Sequence, residues 1–260
     1  MTHRTDHHLN VREYGGADGH PVVLLHPLAT SGELWQQFGT WLGRDGRTVL
    51  APDLPPDGDS AEVTIDLMAD AVAADLDRRG GAAADVVGMS MGGCVALTLA
   101  LRRPDLVRRL VLADTTASYG PDRVAKWEER ALSAETSARA DLLDFQLTRW
   151  FSDAFRAGDP AECARIAEVF LATPAAVHAA SARALGGFDV ADRLGEISAP
   201  TLVLVGEEDY ATPPAMAEAL AAGIDGATVT VLPATRHFSL VQNRDAWRLV
   251  EAHVAAPVVR

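Results

Sequence analysis

The chain has 260 residues, 48% of them hydrophobic and 23% charged, which is enough to build a core without disulfide staples and too apolar for disorder. Thirty-six Asp and Glu against 23 Lys and Arg leave a formal net charge of −13, so the basic footprint that nucleic acid or an anionic membrane demands is missing. Two cysteines, Cys94 and Cys163, are too few for a framework and are expected to be reduced thiols of a cytoplasmic protein. Residues 1–8 (MTHRTDHH) hold no apolar signal segment, and no run of about 18 apolar residues suggests a membrane span. His3, His7 and His8 read as part of a polar terminus rather than as a metal site.

In chain order, residues 9–14 (LNVREY) alternate and suit an outer antiparallel strand. Residues 21–27 (PVVLLHP) and 48–54 (TVLAPDL) are nearly continuous apolar runs of strand length. Apolar residues at Ile65, Met68, Ala69, Val72 and Leu76 predict a helix over 65–79. A short strand at 85–88 (DVVG) follows, then a helix over 91–102 that ends before Pro104. Residues 106–114 (LVRRLVLAD) form the next strand. From about 119 to 188 the pattern is helical throughout, and Pro121, Gly158-Asp159-Pro160, Pro174 and Gly186-Gly187 divide it into four helices. Strands at 200–206 and 228–232 flank a helix over 213–222, and a helix over 244–254 closes the chain. Strands that are apolar at successive positions are covered on both faces. Their alternation with helices predicts an α/β fold with a mostly parallel sheet. Residues 1–118 and 189–260 are expected to form the core, with 119–188 as a helical lid.

The sharpest local signal is Gly88-Met89-Ser90-Met91-Gly92-Gly93, placed between a buried strand and a helix. A serine at such a turn takes strained backbone angles, and glycines beside it keep Cβ atoms out of the adjoining backbone. A serine hydroxyl needs a general base, for which His237, just beyond the last strand, is the candidate. The base needs an acid to fix its tautomer. Asp209 in the segment 206–213 is preferred over its neighbours Glu207 and Glu208, with Asp114 at an earlier strand end as the competitor. An oxyanion hole needs two backbone N–H donors. Met91, after the serine, supplies one, and Leu28, after the first long parallel strand, supplies the other because Pro27 has no N–H. His26 reads as a brace for that loop, with a second base as the alternative.

With Ser90, Asp209 and His237 in that order, the chain resembles the α/β-hydrolase superfamily over essentially its whole length. The carriers are His26-Pro27, the segment 88–93, the segment 206–209 with Pro213, and His237-Phe238. Within it, the segments 25–28, 88–93, 112–117, 149–151 and 198–203 are similar to 3-oxoadipate enol-lactonases. That resemblance implies hydrolysis of a small enol-lactone by a Ser–His–Asp triad with no cofactor and no metal, the lid being the small helical insertion. Two stretches depart from the family: residues 53–60 (DLPPDGDS), where Pro56 and Asp57 replace Gly and His, and residues 241–244 (VQNR), where a Glu-x-Pro phrase is usual.

Trp127, Trp150, Phe151, Phe155 and Phe170 are aromatic residues within the lid. Trp150 is expected in the pocket wall, with His178 and His26 as further pocket residues. Arg149, Arg183 and Lys126 could meet a carboxylate substrate. The partner expected is a small-molecule ester or lactone, turned over through an acyl-enzyme. Acyl transfer, lactonisation or non-hydrolytic cyclisation in a natural-product pathway is the alternative, and a ligand-binding receptor on a hydrolase scaffold is a third reading.

Overall fold

The computed structural model describes residues 8–16, 18–55 and 63–256. Most of the divergent stretch 53–60, with His3 and His7, lies outside them. In chain order the strands are β1 (Val11–Tyr14), β2 (Asp18–Leu25), β3 (Arg47–Pro52), β4 (Ala84–Met89), β5 (Val107–Ala113), β6 (Thr201–Gly206) and β7 (Thr228–Leu232). The helices are α1 (Gln36–Leu42), α2 (Ile65–Arg78), α3 (Met91–Arg102), α4 (Arg123–Thr136), α5 (Arg139–Trp150), α6 (Asp153–Gly158), α7 (Pro160–Ala172), α8 (Ala175–Gly187), α9 (Pro214–Gly223), α10 (Ser239–Gln242) and α11 (Arg244–Ala255).

The strands form one sheet in the order β1-β3-β2-β4-β5-β6-β7. Only β1 is antiparallel, pairing with β3, as its alternating sequence predicted. The continuous apolar runs have the expected cause. Successive side chains of a strand face opposite sides. Val23 and Leu25 of β2 join Val86, Leu110 and Leu112 in a core layer under α2 and α3. Val22 and Leu24 join Val87, Val111 and Leu204 in a second layer with Phe38 and Trp247. Each fully buried Val or Leu contributes roughly 1.5–3 kcal/mol of transfer free energy, so a polar residue on either face of these strands would cost.

The order places a topological switch at β2, where the chain crosses from β3 back over to β4. In open α/β sheets ligands bind outside the strand C-termini at such a point. The register keeps those ends level. Leu25 pairs with Gly88, Met89 with Ala113, Ala113 with Leu204 and Gly206 with Leu232. The turns after β2, β4, β6 and β7 therefore gather at one edge.

Within residues 119–188 the chain makes five α-helices, α4 to α8, where the punctuation suggested four. An isolated antiparallel bridge between Ser118 and Asp189 closes the insertion at its base. No helix among the described residues is long and apolar enough to cross a membrane.

Candidate active site

The turn from β4 into α3 sets Ser90 at φ 55° and ψ −118°, a strained region that costs on the order of 1–3 kcal/mol. Its neighbours are glycine for a steric reason. A Cβ on Gly92 would stand 2.1 Å from the Leu25 carbonyl oxygen, and one on Gly88 would stand 2.3 Å from that of Gly92. Both approaches are to backbone, so neither can be relieved by a rotamer change. The packing that forbids a side chain there is the packing that lifts Ser90 out of the sheet.

Ser90 Oγ lies 2.9 Å from Nε2 of His237, and His237 Nδ1 lies 2.8 Å from Asp209 Oδ2. Asp209 follows β6, and His237 follows β7. All three are buried, with 7, 5 and 2% of their surface exposed, so little water competes with the chain of bonds. Asp209 Oδ1 also accepts from the N–H groups of Ala211 and Thr212, and Oδ2 accepts from the Thr212 hydroxyl. Burial opposes the charge of Asp209, but His237 and Thr212 outweigh it and hold the carboxyl below its ordinary range. An ionised Asp209 can only accept, which fixes the proton of His237 on Nδ1 and leaves Nε2 free to take one from Ser90.

Asp114, the competing acid, has another place. Its φ is 50°, it is fully buried, and it touches neither His237 ring nitrogen. Oδ1 accepts from Gly206 N–H and Oδ2 from Ser239 N–H, so it ties the loop before Asp209 to the loop after His237. Burial and the nearby charge of Asp209 raise its pKa well above the ordinary value.

Leu28 lines the cavity in front of Ser90. Met91 is the first residue of α3, where a helix leaves its N–H groups unpaired and carries its positive end. His26 is not a pocket residue. It is wholly buried beneath the β2 loop; Nε2 accepts from Leu54 N–H at 2.8 Å, and Nδ1 is left to donate to the Pro27 carbonyl at 2.9 Å. Burial lowers its pKa, as suits a neutral brace between that loop and the chain leaving β3.

The cavity has a volume of about 120 Å³. Trp150 and His178 line it. The Trp150 ring stacks on Phe238 with centroids 4.6 Å apart, and its carbonyl accepts from Phe238 N–H, so the residue beside His237 is held by the helical insertion. His178 Nδ1 lies 2.7 Å from Arg139 Nη1. Arginine can only donate, so the imidazole is neutral with its proton on Nε2. Burial, then the charges of Arg139 and Arg130, lower its pKa to about 4. Of the three cations suggested by sequence, Arg149 lines the cavity. Arg183 is spent on Glu128 and Glu135 at the surface, and Lys126 pairs loosely with Asp122. Sequence reasoning missed Arg130 and Tyr119 in the cavity wall and Thr212 at the acid. Arg130 stands three residues after the buried Trp127 on α4 but is itself exposed, so its sequence position carried no signal for it. Among the described residues no His, Cys, Asp and Glu cluster could hold a metal ion.

Residues 20–244 match the alpha/beta hydrolase fold family. The chain is 28% identical over 243 residues to 3-oxoadipate enol-lactonase 2 of Acinetobacter baylyi, with 92% of this chain and 90% of that one covered. It is 31% identical over 257 residues to a pimeloyl-acyl-carrier-protein methyl ester esterase of Neisseria meningitidis, covering 87% and 90%. The crystal structure of the enol-lactonase from Burkholderia xenovorans LB400 superposes with a TM-score of 0.88 at 29% identity, over 95% of this chain and 96% of that one. The chain belongs to the alpha/beta hydrolase fold family, among its carboxylic ester hydrolases.

Proposed function

We propose that the protein hydrolyses a small ester or lactone through an acyl-enzyme on Ser90, with His237 as base, Asp209 as its orienting acid and the N–H groups of Leu28 and Met91 as the oxyanion hole. The observation that carries this is the unbroken Ser90–His237–Asp209 chain at 2.9 and 2.8 Å. His237 takes the Ser90 proton as Oγ attacks the carbonyl, and Asp209 stabilises the imidazolium. The proton then passes to the leaving oxygen. In the second half His237 takes a proton from water, hydroxide adds to the acyl carbon, and Ser90 leaves with the proton returned. The helices of 119–188 act as the lid that closes the site. The enol-lactonase relatives make 3-oxoadipate enol-lactone the first substrate to try. Buried, unpaired Cys94 and Cys163 fit a reducing cytoplasm.

The test is loss of enol-lactone ultraviolet absorbance, with Ser90→Ala beside the wild type. The variant is expected to lose at least about 10³-fold in kcat while keeping its melting temperature and losing labelling by a fluorophosphonate. A folded Ser90→Ala protein with more than about 1% of wild-type turnover defeats the acyl-enzyme. Labelling of wild type without lactone turnover would keep the triad and discard that substrate.

A further inference from the structure

The two residues beside His237, Arg236 and Phe238, reach the same place, the C-terminal end of α5. A helix leaves its last carbonyls without partners of its own. Helix α5 runs straight into Phe151 in extended backbone, with no glycine there to turn the chain back over those carbonyls. The base loop satisfies them instead. The Trp150 carbonyl accepts from Phe238 N–H and from Gln242 Nε2, both at 3.0 Å. The carbonyls of Thr148 and Phe151 accept from Arg236 Nη1 at 2.9 and 3.1 Å. A cation at a helix C-terminus also meets the negative end of the helix dipole.

Arg236 meets more than the helix end. Nη1 lies 3.1 Å from Asp153 Oδ1, and Nε lies 3.4 Å from Glu208 Oε2. Glu208 is the residue before Asp209. One side chain thus joins its own base loop to the start of α6, to the end of α5 and to the acid loop. The two carboxylates are exposed, and ion pairs of that kind contribute little in water. The carbonyls differ, because backbone has no rotamer with which to follow a displaced partner, and a rigid planar fork suits two fixed acceptors. Asp209 fixes only the Nδ1 edge of the His237 ring. The backbone that carries the ring is fixed by its neighbours, Arg236 through its side chain and Phe238 through its N–H and its stacked ring.

We infer that Arg236 is a positioning residue for the reaction. It acts through His237, by tying the base loop to the last turn of α5, and so makes the docking of that helix a condition for the contact between His237 and Ser90. This rests on the Ser90–His237–Asp209 reading and adds to it a residue that stands outside the cavity wall. Misplacement of a reacting group by about 1 Å costs on the order of 100-fold in rate, so loss of the clamp is felt at Ser90 although Arg236 touches no reacting atom.

The experiment measures the second-order rate constant for fluorophosphonate labelling of Ser90, which needs the serine and its base but not the natural substrate. Wild type, Arg236→Met and Arg236→Lys are compared well below their melting temperatures, with urea unfolding run beside them. Arg236→Met keeps the aliphatic stem and removes every donor. It is expected to label about 10- to 100-fold more slowly than wild type. Arg236→Lys should recover part of that loss, since an ammonium can still donate to a carbonyl. A merely structural role would lower the urea midpoint and leave the labelling rate of the folded protein at the wild-type value, which would overturn the inference. Should Arg236→Met fail to fold, Arg236→Gln, which keeps one amide donor, is judged by the same comparison. Labelling of wild type and variant at equal rates removes the clamp and leaves the triad standing. A folded wild type that does not label removes the triad, and the clamp with it.

Discussion

Asp209 and Asp114 show how environment divides two buried carboxyls that share a neighbourhood. Each accepts from two backbone N–H groups, but only Asp209 has the imidazole and the Thr212 hydroxyl, and only its pKa is lowered. A carboxyl depressed on folding contributes stability that is present above its unfolded pKa of about 3.9 and is lost as pH falls through the folded value. Asp209→Asn should therefore narrow the stability gap to wild type as pH drops below about 4, in urea unfolding at a series of pH values. A gap that stays constant to the lowest pH would mean that Asp209 is not held ionised by its neighbours. The same variant offers His237 an amide that can present N–H as well as oxygen, so the tautomer is no longer fixed. Turnover at neutral pH is expected to fall by about 10³- to 10⁴-fold.

At the scale of elements, the strands were legible because their cause is local. Runs such as those of β2, β4 and β6 are apolar on both faces, and no soluble environment but a covered parallel sheet accepts them. Ser90 was legible because its turn needs glycine, and His237 and Asp209 because each follows a strand. The helical insertion was less so. Proline and glycine mark two of its breaks, but the chain also leaves helix at Ser137-Ala138 with neither residue, and α6 is capped by Ser152, whose Oγ accepts from Phe155 N–H. Helix α1 escaped notice altogether, being seven residues long with Gly39 inside it. That glycine is explained only by tertiary contact, since a Cβ there would meet the Tyr14 ring at 2.5 Å. Arg130 was overlooked for a related reason: its side chain acquires meaning only when α4 and α5 close over Ser90. The Ser152 junction carries a further role, because its N–H donates to Gln242 Oε1, and Gln242 Nε2 donates to the Trp150 carbonyl. These bonds stitch the start of α6 to α10, just beyond His237. Ser152→Ala removes the cap and should cost about 1 kcal/mol in the urea midpoint with the slope unchanged. A loss under about 0.3 kcal/mol would show that α6 does not depend on it.

For the molecule as a whole, the net charge of −13 repels an anionic substrate, such as the enol-lactone with its carboxylate, during approach. The folded radius expected for this length is roughly 20 Å. There the unscreened repulsion of a single negative charge is about 2–3 kcal/mol in water. Salt lowers it, by about 0.7 kcal/mol between 10 and 150 mM, as the screening length falls from about 30 to 8 Å. Raising ionic strength over that range should therefore increase kcat/KM for the enol-lactone by roughly two- to fourfold. A neutral p-nitrophenyl ester, which has no charge to repel, should not respond. A fall for the enol-lactone would mean that the net charge does not govern its approach, and that cations at the cavity mouth, open to bulk ions, attract it instead.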